Sequence, residues 1–124
     1  MAKVLIVDDA VFMRGLMADI VEGSGHTPIE ACDGVEGLEA IRRERPDLVF
    51  LDLAMPRLDG FGVLEALLGF DDPPPVIVLS ADIQPEIQKR VFNLGAIEFL
   101  NKPPNVMDIV GTMEANISSQ KEAV

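Results

Sequence analysis

Five short apolar runs recur along the 124-residue chain, each followed by a stretch with helical spacing. The runs lie at about Lys3–Asp8, Thr27–Ala31, Leu48–Leu53, Val76–Ser80 and Glu98–Leu100. Val4 to Val7 are apolar without a break, and three of the four are Val or Ile. Such a run marks a strand buried on both faces, as parallel strands are. The helical patterns fall at about Val11–Glu22, Val35–Glu44, Phe61–Leu68, Pro85–Leu94 and Val106–Ile117. Phe12, Leu16, Ile20 and Val21 keep helical spacing in the first, and Gly23 and Gly25 stop it. Val35, Leu38 and Ile41 repeat the logic in the second, which ends before Pro46. Pro28 cannot donate to a ladder, so the second strand belongs at a sheet edge. Strands and helices alternating through short loops predict a parallel sheet covered on both faces.

Two of these strands end against their own pattern. Asp8 and Asp9 close the first, and Asp52 interrupts the third. Ligands of open α/β sheets bind at the carboxyl ends of strands, which sorts the polar residues. Asp8, Asp9, Asp52, Ser80 after strand four and Lys102 after strand five converge on one edge. Three carboxylates at one point repel unless a cation lies among them. Hard oxygen ligands on a shallow rim suit Mg²⁺, which takes few carboxylates and keeps several waters. A fixed ammonium, a hydroxyl and such a cation compose a phosphoryl site built on positioning and charge neutralisation. A carboxylate placed there can attack phosphorus and become an acyl phosphate.

The motifs "LIVDD", "VFLDLAMPRLDG", "VIVLSA" and "GAIEFLNKP" stand in an order that resembles the receiver domain of two-component response regulators, over nearly the whole chain. The resemblance implies a flavodoxin-like (βα)5 fold, a doubly wound sheet of five parallel strands in the order 2-1-3-4-5. It implies residues 1–120 as the receiver and 121–124 as a C-terminal tail, with fraying from Ser118. It makes Asp52 the phosphoacceptor, with Asp9, Asp52 and the backbone carbonyl of Ala54 on Mg²⁺ and Asp8 acting through a water. Ser80 and Lys102 would hold the phosphoryl group, beside a small Ala81. Lys102-Pro103 matches the family's cis peptide. Phe99 takes the aromatic switch position, often Tyr, and would turn inward as Ser80 moves. The implied partners are a histidine kinase or phosphotransfer protein as donor, and a downstream protein on the helix 4–strand 5–helix 5 face.

Other residues have plainer readings. Asp9 before a helix is also a common N-cap. Asp59-Gly60 is a turn into helix three. His26 belongs to a loop or strand start, and Cys32 reads as a small buried side chain. Four Lys and six Arg against 21 acids leave a net charge of −11, which disfavours nucleic acid and anionic membranes. A lone cysteine points to a reducing compartment, and no apolar run reaches membrane-span length, so the expected location is cytoplasmic. Residues 105–120 contain no Lys or Arg, so cross-interface salt bridges are not expected there and a monomer is. The alternative is the N-terminal receiver half of a longer DNA-binding regulator. A phosphatase of the haloacid dehalogenase type would need Asp-x-Asp after strand one, and no nucleotide-binding glycine motif follows any strand.

Overall fold

The computed structural model describes the backbone of residues 1–122 and the side chains through residue 117. Five strands, β1 (Lys3–Val7), β2 (Thr27–Ala31), β3 (Leu48–Asp52), β4 (Val76–Ser80) and β5 (Glu98–Asn101), alternate with five helices. These are α1 (Val11–Gly23), α2 (Gly34–Glu44), α3 (Gly60–Leu67), α4 (Pro85–Asn93) and α5 (Val106–Glu122). The strands form one parallel sheet in the order β2-β1-β3-β4-β5, the flavodoxin-like arrangement expected. Pro28 does lie on an edge strand, paired on one side only.

The uninterrupted apolar runs follow from two cores separated by the sheet. Leu5, Val7, Val49, Leu51, Val76 and Val78 face one core, filled by Leu38 and Ile41 of α2, Val63 and Leu64 of α3, and Val91 of α4. Their neighbours Val4, Ile6, Leu48, Phe50, Ile77 and Leu79 face the other, filled by Met17 and Val21 of α1 and Ile109 and Met113 of α5. Alternate residues point to opposite faces, so a strand covered on both has no polar position to give up. Arg90 of α4 stacks over the Phe61 ring of α3 at 3.9 Å, linking two helices of one face.

Several boundaries and burials differ from expectation. Asp8 lies just past β1, and Leu53 just past β3. α5 runs to Glu122, beyond the expected tail start, because Ser118 to Glu122 contain no glycine or proline to stop an established helix. Residues 123–124 of that tail lie outside the described residues. In α1, Phe12 is 81% and Leu16 44% exposed, while Met17, Ala18 and Val21 are buried. Only the last belonged to the expected stripe. No helix among the described residues is long and apolar enough to cross a membrane.

Candidate functional site

The site lies where the chain order reverses across the sheet, between β1 and β3. Val7 is in register with Leu51 on the neighbouring strand, so the next residues, Asp8 and Asp52, emerge side by side. Asp52 is in register with Leu79 of β4, which brings Ser80 next to it. Ser80 pairs with Asn101 of β5, and the Lys102 N–H donates to the Ser80 carbonyl at 2.9 Å. Four strand ends thus deliver four functional groups to one rim. The Lys102–Pro103 peptide is cis, as expected.

Lys102 is the electrostatic centre. Its Nζ lies 2.8 Å from Asp8 Oδ2 and 3.2 Å from Asp52 Oδ2, so one ammonium bridges both carboxylates. Asp8 and Asp52 are almost wholly buried, while Asp9 is exposed. Carboxylate oxygens of Asp8, Asp9 and Asp52 all lie within 4.8 Å of one another. Burial pushes the Asp52 carboxyl above its ordinary value, and the charge of Asp8 adds to the effect; Lys102 and the Ala54 N–H oppose it. For Lys102, burial alone would lower the ammonium. The bond to Asp8 and the charge of Asp52 outweigh it and hold it above its usual range.

The neighbouring groups are ordered. Ala10 is the N-cap residue of α1 and makes no side-chain cap bond, so Asp9 is not a helix cap. Asp8 Oδ1 accepts from the Ala10 N–H at 2.9 Å instead, leaving Asp9 uncommitted to the helix. Ser80 is buried, and its hydroxyl donates to the Asp82 carbonyl at 3.1 Å and accepts from the Asp82 N–H at 3.0 Å. Ala81 and Ala54 are exposed beside the acidic cluster. Phe99 is half-buried against the core shared by α2, α3 and α4. Asp59 caps α3 by accepting from the Gly62 N–H at 2.9 Å, a structural role as expected. His26 accepts from the Ala2 N–H at the start of β2.

Three parallel-sheet carboxylates, one bridging ammonium and one hydroxyl, delivered in this order by β1, β3, β4 and β5, narrow the choice of family. A response regulator receiver domain model matches residues 4–114. The chain belongs to the receiver domain family of two-component response regulators. The receiver is 38% identical over 114 residues to the chemotaxis protein CheY of Halobacterium salinarum, covering 89% of this chain and 95% of that one. It is 37% identical over 126 residues to a protein-glutamate methylesterase/protein-glutamine glutaminase of Methanospirillum hungatei, covering 96% of this chain. It spans only 37% of the length of that longer relative. In structure it matches the receiver domain of the Francisella response regulator 1452 with a TM-score of 0.91 at 28% identity, over 97% of this chain and 99% of that one.

Two arginines escaped the sequence reading. Arg14 of α1 donates from Nη1 to the Asp8 carbonyl at 2.7 Å and from Nε to Glu30 of β2 at 3.2 Å. It holds the turn that bears the acidic pair, and its signal was a basic residue soon after that pair. Arg57 ion-pairs with Asp33 at 2.8 Å. Cys32 was expected to be buried and is half-exposed. A hydrogen bond involving Glu36, together with partial burial, raises its thiol pKa.

Proposed function

We propose that the receiver takes a phosphoryl group from a phosphohistidine onto Asp52 and passes the change to a protein partner. The observation that carries this is Lys102 bridging Asp8 and Asp52 beside the exposed carboxylate of Asp9. A carboxylate oxygen of Asp52 forms the new O–P bond as the N–P bond of the donor imidazole breaks. The leaving nitrogen keeps the bonding pair and is protonated from solvent. Lys102 stays charged and pairs with the transferred group, and Ser80 exchanges its bonds to Asp82 for one to a phosphoryl oxygen. Phe99 then turns inward in response. Ala81, without side-chain bulk, leaves the approach open.

The donor set fits a hard divalent cation: three carboxylates converge, and one of them faces solvent. Asp9, Asp52 and the Ala54 carbonyl would hold Mg²⁺ directly and Asp8 through a water. When bound, Mg²⁺ offsets the negative charge that the phosphoryl oxygens bring to the carboxylates.

The donor would be a histidine kinase or phosphotransfer protein. The output face would be α4–β5–α5, where Phe92, Ile97, Val106 and Met107 are exposed. Residues 105–120 offer no Lys or Arg for bridges between copies, which favours a monomer. The lone Cys32 and the strong negative charge favour a cytoplasmic protein that binds neither nucleic acid nor membrane. The catalysis is limited to the receiver's own phosphorylation and dephosphorylation. The same phosphoacceptor chemistry would serve a stand-alone switch or the receiver half of a longer regulator.

The test is incubation with Mg²⁺ and acetyl phosphate, followed by mass spectrometry and peptide mapping. One phosphate on the peptide bearing Asp52 is the expected result. No adduct at that peptide would overturn the assignment. Light scattering of the beryllofluoride-treated protein should report a monomer at micromolar concentration, and a dimer would refute that part.

A further inference from the structure

The loop of residues 53–59 joins the end of β3 to α3 and includes Ala54. At its far end it closes on itself. The Gly60 N–H donates to the Leu53 carbonyl at 2.9 Å, and a side chain on Gly60 would lie 2.7 Å from the Asp52 carbonyl oxygen. Its middle is held from outside. Arg57 adopts a left-handed backbone with φ of 66°, a conformation that glycine takes without penalty and arginine does not. What arginine adds is its fork: Nε and Nη2 both lie 2.8 Å from Oδ2 of Asp33.

Asp33 is a firm anchor. It is buried, and its other oxygen accepts the Glu36 N–H at 2.9 Å, capping α2. That bond and then Arg57 hold its carboxyl below the usual carboxylate range, so the pair stays ionised at neutral pH. One residue on, the Gly34 N–H donates to the Leu58 carbonyl at 3.1 Å, and any side chain at Gly34 would collide with that oxygen. The α2 N-terminus therefore grips the loop at two consecutive residues, Arg57 and Leu58. Asp33 already neutralises the Arg57 charge, so Arg57 contributes position to the site and no added field.

We infer that the Arg57–Asp33 ion pair is a clamp that positions the β3–α3 loop so that the Ala54 carbonyl completes the Mg²⁺ donor set. Arg57 and Asp33 are positioning residues, acting through Ala54, and this rests on the metal reading given above. Groups that orient metal ligands typically change affinity by about 10- to 100-fold when lost. A clamp on one backbone carbonyl of a solvent-facing loop belongs at the lower end.

The test compares the parent protein with Arg57→Gly and Asp33→Asn. Glycine relieves the backbone strain while losing the fork, and asparagine keeps a good helix cap while losing the charge. Mg²⁺ is titrated calorimetrically at fixed pH and ionic strength, and urea melts are run without Mg²⁺. The expected result is Mg²⁺ binding about tenfold weaker in both variants, with the urea midpoint of Arg57→Gly equal to or above the parent's. Arg57→Lys, which keeps the charge but not the fork, should fall between. Parent-like Mg²⁺ affinity in Arg57→Gly overturns the clamp alone. Affinity that falls only in step with the urea midpoint does the same, since that is a general loss of fold. No Mg²⁺ binding by the parent overturns the metal reading, and the clamp with it.

Discussion

Replacing Lys102 with methionine keeps most of the volume of its stem and removes one charge from between two buried carboxylates. At 2.8 Å and 3.2 Å the ammonium attracts Asp8 and Asp52 by about 6 and 5 kcal/mol at an effective dielectric of about 20. Removing it also removes its own desolvation cost, which is several kcal/mol, so the net loss is far below that sum. A second limit comes from the carboxylates, because an unpaired one takes up a proton. For a carboxyl of ordinary pKa 3.8, that costs about 4 kcal/mol at pH 7 and about 1.6 kcal/mol at pH 5. Lys102→Met should therefore lose about 3–4 kcal/mol of unfolding free energy at pH 7 and less than about 2 kcal/mol at pH 5. Urea unfolding at both pH values, without divalent cations, measures each loss by linear extrapolation. Adding Mg²⁺ at pH 7 should restore part of it, because a cation again stands among the acids. An equal loss at both pH values would refute the reasoning, since lost packing does not titrate.

Four further outcomes follow from the same cluster. Asp52→Asn should abolish stable labelling by acetyl phosphate; full labelling in that variant would remove Asp52 as acceptor. The raised pKa of Asp52 means that its proton adds stability fully below 3.8 and loses that increment as pH rises through the folded value. The urea midpoint of Asp52→Asn should accordingly vary less than the parent's across that interval. Mg²⁺ at ten times its dissociation constant should add about 1.4 kcal/mol of stability, read as a higher melting temperature, and Asp9→Ala should erase the response. Ala54→Asn, by offering an amide to the attacking water, should speed phosphate release about fivefold, equivalent to about 1 kcal/mol; an unchanged release rate counts against water positioning at Ala54.

The sheet was legible because two-sided burial leaves no room for polar residues in the interiors of β1, β3 and β4, and the site because the acids appear where those apolar runs stop. Asp8 and Asp52 could be paired in advance only through the rule that ligands gather at strand ends. The buried face of α1 was not legible. Phe12 and Leu16 satisfy the helical period as well as Met17 and Ala18 do, and the docking angle of the helix, absent from the period, chooses between them. The end of α5 was missed because the apolar spacing stops at Ile117, while the helical backbone continues to Glu122. Arg57 and Asp33 lie 24 positions apart, and nothing local in either segment announces the other. The left-handed backbone of Arg57 was equally hidden, because that region favours glycine and asparagine.

Pro28 has a consequence beyond marking the sheet edge. An open outer strand offers N–H and C=O groups to any other chain that can lie alongside it. In β2 the proline removes one donor from a strand of five residues, and the exposed Glu30 places a charge two residues further on. The opposite edge, β5, is only four residues long and is followed at once by the Lys102–Pro103 turn. Neither border gives a second molecule a long uninterrupted ladder to extend. Crowding many copies of this protein together should therefore favour repulsion between acidic surfaces over the growth of shared sheets.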